Sequence, residues 1–288
     1  MELPVSVVVP VRNGENCVAR CMESILKQTF ENFELIMVDD ASSDNTGKII
    51  NGFKDTRIKC IRNKEWLGIA GSRNAGTNIA TGKYLFFTDA DCVVNPEWIE
   101  EGLSCFEKGY VGVEGKIVYV SENYKQSFSD YVMENRYGGK FMTGNVAYLR
   151  DAVVAIGGLD ESLTYLSDRA LGLEVCEKYG KIFFNERMVA IHPWVQMTKQ
   201  RVFKSISAID DRMVLYKKYG DRELITWRIM NIRHFVLLLC PALILASFLL
   251  NTYKKKTDFQ LLPITFIAAI VERVQIWKAS TKYHVFII

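Results

Sequence analysis

The sequence predicts an α/β domain built on a parallel sheet, and three observations carry that expectation. Short β-branched runs alternate with amphipathic stretches from the N-terminus to about Gly115, the pattern of strands joined by crossover helices. Hydrophobic residues make up 49% of the chain and charged residues 24%, enough for a substantial core and unlike a disordered chain. Charged residues gather where the predicted strands end, which is where open α/β sheets bind ligands.

The first strand is Val5 to Pro10, an apolar run that reads as buried. Cys17, Cys21 and Ile25 then recur at helical spacing and give a helix ending near Gln28. Phe33 to Asp40 forms the second strand. Ser42 to Thr46 supplies cap and turn residues for a helix through Ile49, Ile50 and Phe53. Arg57 to Ile61 is a short third strand, Gly68 to Gly82 a loop and helix, and Tyr84 to Phe87 the fourth strand. Asn95 and Pro96 have the form of an N-cap and first helical residue, opening a helix to about Lys108.

Beyond Gly109 the pattern loosens. Met133 to Asn145 is glycine-rich, Gly157 to Asp168 is a turn-rich loop feeding a helix to Tyr179, and Lys181 to Asn185 is a strand. A basic amphipathic helix from Lys199 to Tyr219 leads into a hydrophobic tail. The expected division is therefore an α/β domain over residues 1–198 and a helical tail over 199–288.

Several function classes are disfavoured by composition. A net charge of +3 is too mild to mark a nucleic-acid binder. Seven cysteines, an odd number without framework-like spacing, fit a reducing compartment. Cys17 and Cys21 lie one helical turn apart, but no second pair of suitable spacing exists, so core packing is expected. The N-terminus has neither a basic n-region nor a long apolar stretch, so no signal peptide is expected and the fold should begin in the cytosol.

Four spots at strand ends could carry chemistry. They are Pro10-Val11-Arg12-Asn13 after strand one, Asp39-Asp40 after strand two, Arg73-Asn74 on the helix before strand four, and Asp89-Ala90-Asp91 after strand four. Each alone could be a cap or a turn; four at one sheet edge form a site. The slot after strand one lacks the G-x-G-x-x-G of a dinucleotide fold, and no G-x-x-x-x-G-K-[ST] phosphate loop occurs. A bound diphosphate must then be held by a metal ion. Asp89 and Asp91 point to the same side of an extended backbone, and their hard oxygens suit Mg²⁺ or Mn²⁺.

The blocks "VSVVVPVRNG" (Val5–Gly14), "QTFENFELIMVDDASSDNT" (Gln28–Thr46), "GIAGSRNAGTNIATGKYLFFTDAD" (Gly68–Asp91) and "TGNVAYLRDAVVAIGGLDE" (Thr143–Glu161), followed by Asp168, occur in order. Over roughly residues 4–192 the chain resembles family 2 inverting glycosyltransferases of the GT-A fold, whose sheet is Rossmann-like and mixed. The resemblance implies that Pro10 to Asn13 pack against a nucleoside, that Asp39 and Asp40 hold base and ribose (Asp40 the base), and that Arg73 lies near the nucleotide. It implies Asp91 as the direct metal ligand, with Asp89 nearer the donor sugar or ribose.

Asp168 is implied as the base that removes the acceptor proton, although the usual Glu-Asp pair is here Ser167-Asp168. On its residues alone, that stretch is equally a helix N-cap with a first-turn aspartate. His192 takes a place near the diphosphate and metal, against the alternative of a packed strand-end histidine. Gly144 and Asn145 would border the donor and acceptor sugars, against the alternative of a simple turn.

The tail carries an apolar run from Phe235 to Leu250 and a second from Leu261 to Val271, with Lys254 to Lys256 between them. Sixteen helical residues reach about 24 Å, short of a bilayer core of about 30 Å, and Pro241 interrupts them. The expectation is membrane association on the cytoplasmic face, as a tilted or re-entrant hairpin, the alternative being a soluble helical subdomain or homodimer interface. Taken together the expected activity is metal-dependent inverting hexosyl transfer from a nucleotide-diphospho-sugar, UDP favoured, to a glycan or lipid-linked cell-envelope acceptor. The rivals are a sugar nucleotidyltransferase, which needs a glycine-rich basic loop absent here, and a non-catalytic nucleotide-binding member of the same fold.

Overall fold

A computed structural model describes residues 4–118, 130–131, 134–193, 195–196, 205–220, 225–226, 229–230 and 256–285. The chain divides into two compact units. The first comprises Met1–Val120, Met133–Ser162 and Ser167–Pro193, and the second Ser121–Val132, Leu163–Leu166 and Trp194–Ile288.

The first unit is an eight-stranded mixed sheet of order β3-β2-β1-β4-β8-β6-β9-β5. Its strands are β1 (Val5–Val11), β2 (Phe33–Asp39), β3 (Ile58–Arg62), β4 (Tyr84–Thr88), β5 (Val93–Val94), β6 (Gly112–Val118), β8 (Asn145–Leu149) and β9 (Ile182–Ile191). The β3-β2-β1-β4 portion is parallel, as expected. Beyond it β8 runs antiparallel to both β4 and β6, while β6 and β9 are parallel.

Helices α1 (Val18–Leu26), α2 (Thr46–Gly52), α3 (Gly68–Ile79), α4 (Trp98–Phe106), α5 (Arg150–Ile156) and α6 (Ser167–Lys178) connect the strands. They cover both faces because strand side chains alternate. Val5, Val7, Val9 and Val11 of β1 join Phe33, Leu35 and Met37 of β2 and Phe86 of β4 in one core. That core also holds Val18, Cys21, Met22 and Ile25 of α1, at helical spacing, and Trp98 and Ile99 of α4. Val8, Ile36, Val38, Leu85 and Phe87 point the other way and pack with Ala70 of α3, Val153 of α5, and Leu171 and Val175 of α6. Cys21 is thus a core residue, as its spacing suggested.

A buried polar node sits on the same face as Val8 and Ile36, where Ser6 of β1 is in register with Glu34 of β2. Glu34 accepts hydrogen bonds from Ser6 Oγ (2.6 Å) and from the N–H and hydroxyl of Thr81 (2.7 and 2.8 Å), and pairs with Lys59 Nζ at 2.6 Å. Burial pushes its carboxyl up, but Lys59, Ser6 and Thr81 outweigh this and hold it at about 2.

Two expectations need correction. Helix α4 opens at Trp98 with Glu97 at its cap, not at Asn95-Pro96. Asn95 instead exchanges hydrogen bonds with Val189 of β9, accepting its N–H through Oδ1 at 2.9 Å and donating its own N–H to the Val189 carbonyl at 3.0 Å. Of the basic helix expected over Lys199–Tyr219, the described part is a 3₁₀ turn (Ser205–Ala208) and a helix α7 (Ile209–Tyr219) whose first turn carries Asp210 and Asp211, and residues 199–204 lie outside the described residues.

In the second unit α7 packs on a long helix α8 (Lys256–Tyr283) through Ile209, Met213, Ile276 and Ala279. Two short antiparallel pairs, β7 (Asp130–Tyr131) with β10 (Val195–Gln196) and β11 (Ile225–Thr226) with β12 (Ile229–Met230), also belong to it. The expected hydrophobic tail is not supported: among the described residues no helix is long and apolar enough to cross a membrane. The second apolar run is part of α8, and Phe235–Leu250 lies outside the described residues.

Candidate functional site

Parallel pairing sets Val11, Asp39 and Arg62 side by side at the C-terminal ends of β1, β2 and β3. The loops leaving β1 and β2 are laced together above this edge. Asn13 donates its N–H to Ser42 Oγ (3.0 Å) and accepts the Ser43 N–H through Oδ1 (2.8 Å). Gly14 donates to Thr46 Oγ1 at 2.8 Å and Glu15 to Asp44 Oδ2 at 3.1 Å, while the Asn45 N–H returns to Glu15 Oε2 at 3.1 Å. Asn13 and Ala41 both hold left-handed backbone, φ +52° and +54°. An asparagine tolerates that region; an alanine pays about 1–2 kcal/mol for it.

Asp39 and Asp40 are both buried and both engaged. Asp39 Oδ1 accepts the Ser42 N–H at 2.9 Å and Oδ2 faces Arg62 Nη1 at 3.2 Å. Asp40 accepts the Leu67 and Gly68 N–H groups (2.9 and 3.0 Å) at the start of α3, and the Asn63 amide at 2.8 Å. Pro10 and Val11 close β1, with the Val11 carbonyl accepting the Asp40 N–H at 2.8 Å. Arg12 is exposed at the rim.

Arg73 lies on α3, only 2% exposed, and forms an ion pair through Nη2 with Asp89 Oδ1 at the end of β4. Its buried Nε has no hydrogen-bond partner among the described residues. Two residues beyond Asp89, Asp91 Oδ2 lies 3.6 Å from His192 Nε2, which the end of β9 delivers. Potential ligand atoms of Asp89, Asp91, Cys92 and His192 all lie within 4.8 Å of one another. Burial raises the Asp91 carboxyl above its ordinary value, with His192 opposing the shift and Asp89 adding to it. A cation replaces the solvation that burial removes, so two carboxylates and an imidazole fit a divalent metal. Cys92 was not anticipated; its only signal was adjacency to the Asp89-Asp91 pair.

Asp168 opens α6 and reaches the same neighbourhood. Its Oδ2 lies 3.4 Å from the Thr143 N–H, and its Oδ1 accepts the Arg169 N–H at 2.7 Å. Burial pushes this carboxyl up to about 6, against the Arg169 N–H and the positive charge of Arg73, with Asp89 adding a smaller upward push. Gly144 follows Thr143, and a Cβ there would lie 3.0 Å from Asp89 Oδ2. The backbone at 143–144 therefore bridges the two carboxylates.

Asn145 does not open onto this space. It is fully buried, accepting from Trp98 Nε1 at 2.7 Å and donating to the Lys116 and Met188 carbonyls at 2.9 and 2.8 Å. The sugar-bordering role expected of it gives way to bracing β8 against β6 and β9.

Residues 6–158 match the model of glycosyl transferase family 2. The chain belongs to that family. Among curated members it is similar to the Escherichia coli UDP-Glc:alpha-D-GlcNAc-diphosphoundecaprenol beta-1,3-glucosyltransferases WfaP and WfgD. The identities are 45% over 91 residues (32% of this chain, 36% of WfaP) and 33% over 138 residues (48% and 50%). These matches span about a third to a half of the relatives' length.

Among solved structures, this family 2 chain resembles S. aureus TarS 1-349 in complex with UDP-GlcNAc (TM-score 0.60, 16% identity, 99% of this chain and 92% of that one). It also resembles the mannosyltransferase PcManGT of Pyrobaculum calidifontis in complex with GDP-Man and Mn²⁺ (TM-score 0.65, 16% identity, 95% and 88%). Both likenesses are of fold, and they agree with the GT-A architecture read from the sequence blocks.

Proposed function

We propose that the chain transfers a sugar from a nucleotide-diphospho-sugar to a hydroxyl acceptor with inversion at the anomeric carbon. The observation that carries this reading is the convergence of Arg73, Asp89, Asp91 and His192 with the raised carboxyl of Asp168 at one sheet edge. Asp91 and His192, with Asp89, would hold Mn²⁺ or Mg²⁺, and the ion would offset the charge that builds on the departing diphosphate. Asp168, deprotonated, takes the acceptor hydroxyl proton as that oxygen attacks the anomeric carbon. The bond from that carbon to the β-phosphate oxygen breaks in the same step, and its electron pair leaves with the nucleoside diphosphate. A positioned base of this kind contributes about 10²- to 10⁴-fold.

A UDP-sugar donor and a lipid-diphosphate-linked acceptor are favoured by the names of the relatives WfaP and WfgD. An acceptor of that kind would place the reaction at the cytoplasmic face of the cell membrane. Calorimetric titration of UDP and GDP, with and without Mn²⁺, into wild type and Asp91→Ala tests the donor site. Metal-dependent binding of one nucleotide, lost in Asp91→Ala, is expected; no binding under any condition removes the reading. Donor binding with no turnover, and indifference to Asp168→Asn, would instead favour a non-catalytic member.

A further inference from the structure

Arg12 and Trp66 leave different strands and meet above the sheet edge. The guanidinium carbon of Arg12 lies 5.0 Å from the Trp66 ring centroid, while the indole remains 65% exposed. Keeping so large an apolar ring in water forgoes burial energy, and the segment that presents it is firmly held. Asp40 fixes Leu67 and Gly68, immediately after Trp66, and Asn63, three residues before it, bonds to both Asp40 and Ser72.

The other exposed aromatic rings described in the first unit stand elsewhere. Tyr137 rides a loop fastened to Glu114, midway along β6, through the N–H of Phe141 at 2.9 Å, and Tyr179 follows the end of α6.

The groups along the edge follow an order. Arg12 follows β1 and Trp66 follows β3, the Arg73–Asp89 pair stands at the end of β4, and Asp91 and His192 lie beside Asp89 there, with ligand atoms of all three within 4.8 Å of one another. Three strand spacings separate β3 from β4, about 14 Å, a span comparable with an extended nucleoside diphosphate. An aromatic face at one end and the guanidinium, carboxylates and candidate cation site at the other match base and diphosphate in turn.

We propose that Trp66, held from one side by Arg12, is the stacking platform for the donor's nucleobase, an inference that rests on the donor reading given above. The base lies against the open face of the indole, and Arg12 fixes the ring in the orientation that receives it. Stacking on a ring face is tolerant of base identity, so Trp66 adds affinity for the nucleoside, and discrimination between bases falls to edge contacts elsewhere.

The experiment titrates UDP, GDP and inorganic pyrophosphate, all with Mn²⁺, into wild type, Trp66→Ala and Trp66→Phe. Trp66→Ala should weaken binding of whichever nucleotide the wild type takes by about tenfold or more, with Trp66→Phe retaining most of it. Pyrophosphate, which has no base, should bind all three equally, and that equality also reports that the variants are folded. Equal nucleotide affinity in wild type and Trp66→Ala overturns the proposal, as does a parallel loss of pyrophosphate binding. If the wild type binds neither nucleotide, the donor reading falls first and the platform with it.

Discussion

Arg73 and Asp89 form an ion pair that ties α3 to the end of β4. The arginine is buried and the carboxylate a quarter exposed, so the pair straddles the boundary between core and site. Replacing Arg73 by methionine leaves Asp89 unpaired beside Asp91. Because Asp89 keeps access to water, the cost should fall below the 3–5 kcal/mol of a fully buried pair, at about 1–3 kcal/mol. Arg73→Met should lower the melting temperature by several degrees and weaken nucleotide binding in calorimetry. Unchanged values for both would show that the pair is incidental.

Asp168→Asn keeps the shape of the side chain and removes its capacity to accept a proton. The turnover rate should fall by about 10²- to 10⁴-fold, with UDP or GDP affinity within about twofold of wild type. A rate that survives the substitution assigns the base elsewhere.

The same carboxyl sets a pH profile. Burial raises Asp168 to about 6, and a base works only when deprotonated. The acceptor-dependent rate should therefore climb as pH rises through about 6 and level off above it. An acid limb at the ordinary aspartate value near 4 would show that Asp168 is not the titrating group in the rate.

Glu34 predicts a dependence of stability, not of rate. Its carboxyl lies at about 2 in the fold against 4.5 as its ordinary value. Its stabilisation is therefore complete above about pH 4.5 and lost as pH falls towards 2. Glu34→Gln should cost about 1–3 kcal/mol at neutral pH and flatten the melting-temperature curve between pH 5 and pH 2, as scanning calorimetry would record. A mutant curve parallel to wild type would remove Glu34 as the cause.

Ala41 holds left-handed backbone at φ +54°. Relief of that strain by Ala41→Gly returns about 1–2 kcal/mol, and the greater freedom of glycine in the unfolded chain takes back about 0.4–1 kcal/mol. The net gain should be about 0.5–1 kcal/mol, read as a higher denaturation midpoint. A lower midpoint would mean that the alanine methyl makes a compensating contact.

What could be read from the sequence was whatever local pattern determines. β1, β2 and β4 stood out because their apolar runs are continuous, and both cores show why: each strand is covered on both faces. Asp89 and Asp91 stood out because an i, i+2 pair at a strand end sets two carboxylates on one side of the backbone. The start of α4 was misplaced because Asn95 bonds to Val189, a partner 94 residues away. Asn145 was misread for the same reason, since its partners come from α4, β6 and β9. The Thr143 N–H beside Asp168 is a backbone donor, which any residue type would supply, so no letter of the sequence could announce it.

The reciprocal lacing of the β1 and β2 loops makes them one mechanical part drawn from two places in the chain. Neither can be lengthened, exchanged with a relative's loop or loosened by mutation without releasing the other, because each holds the backbone of its partner. Anyone redesigning this edge of the sheet should therefore graft Asn13 to Glu15 and Ser42 to Thr46 as a matched cassette.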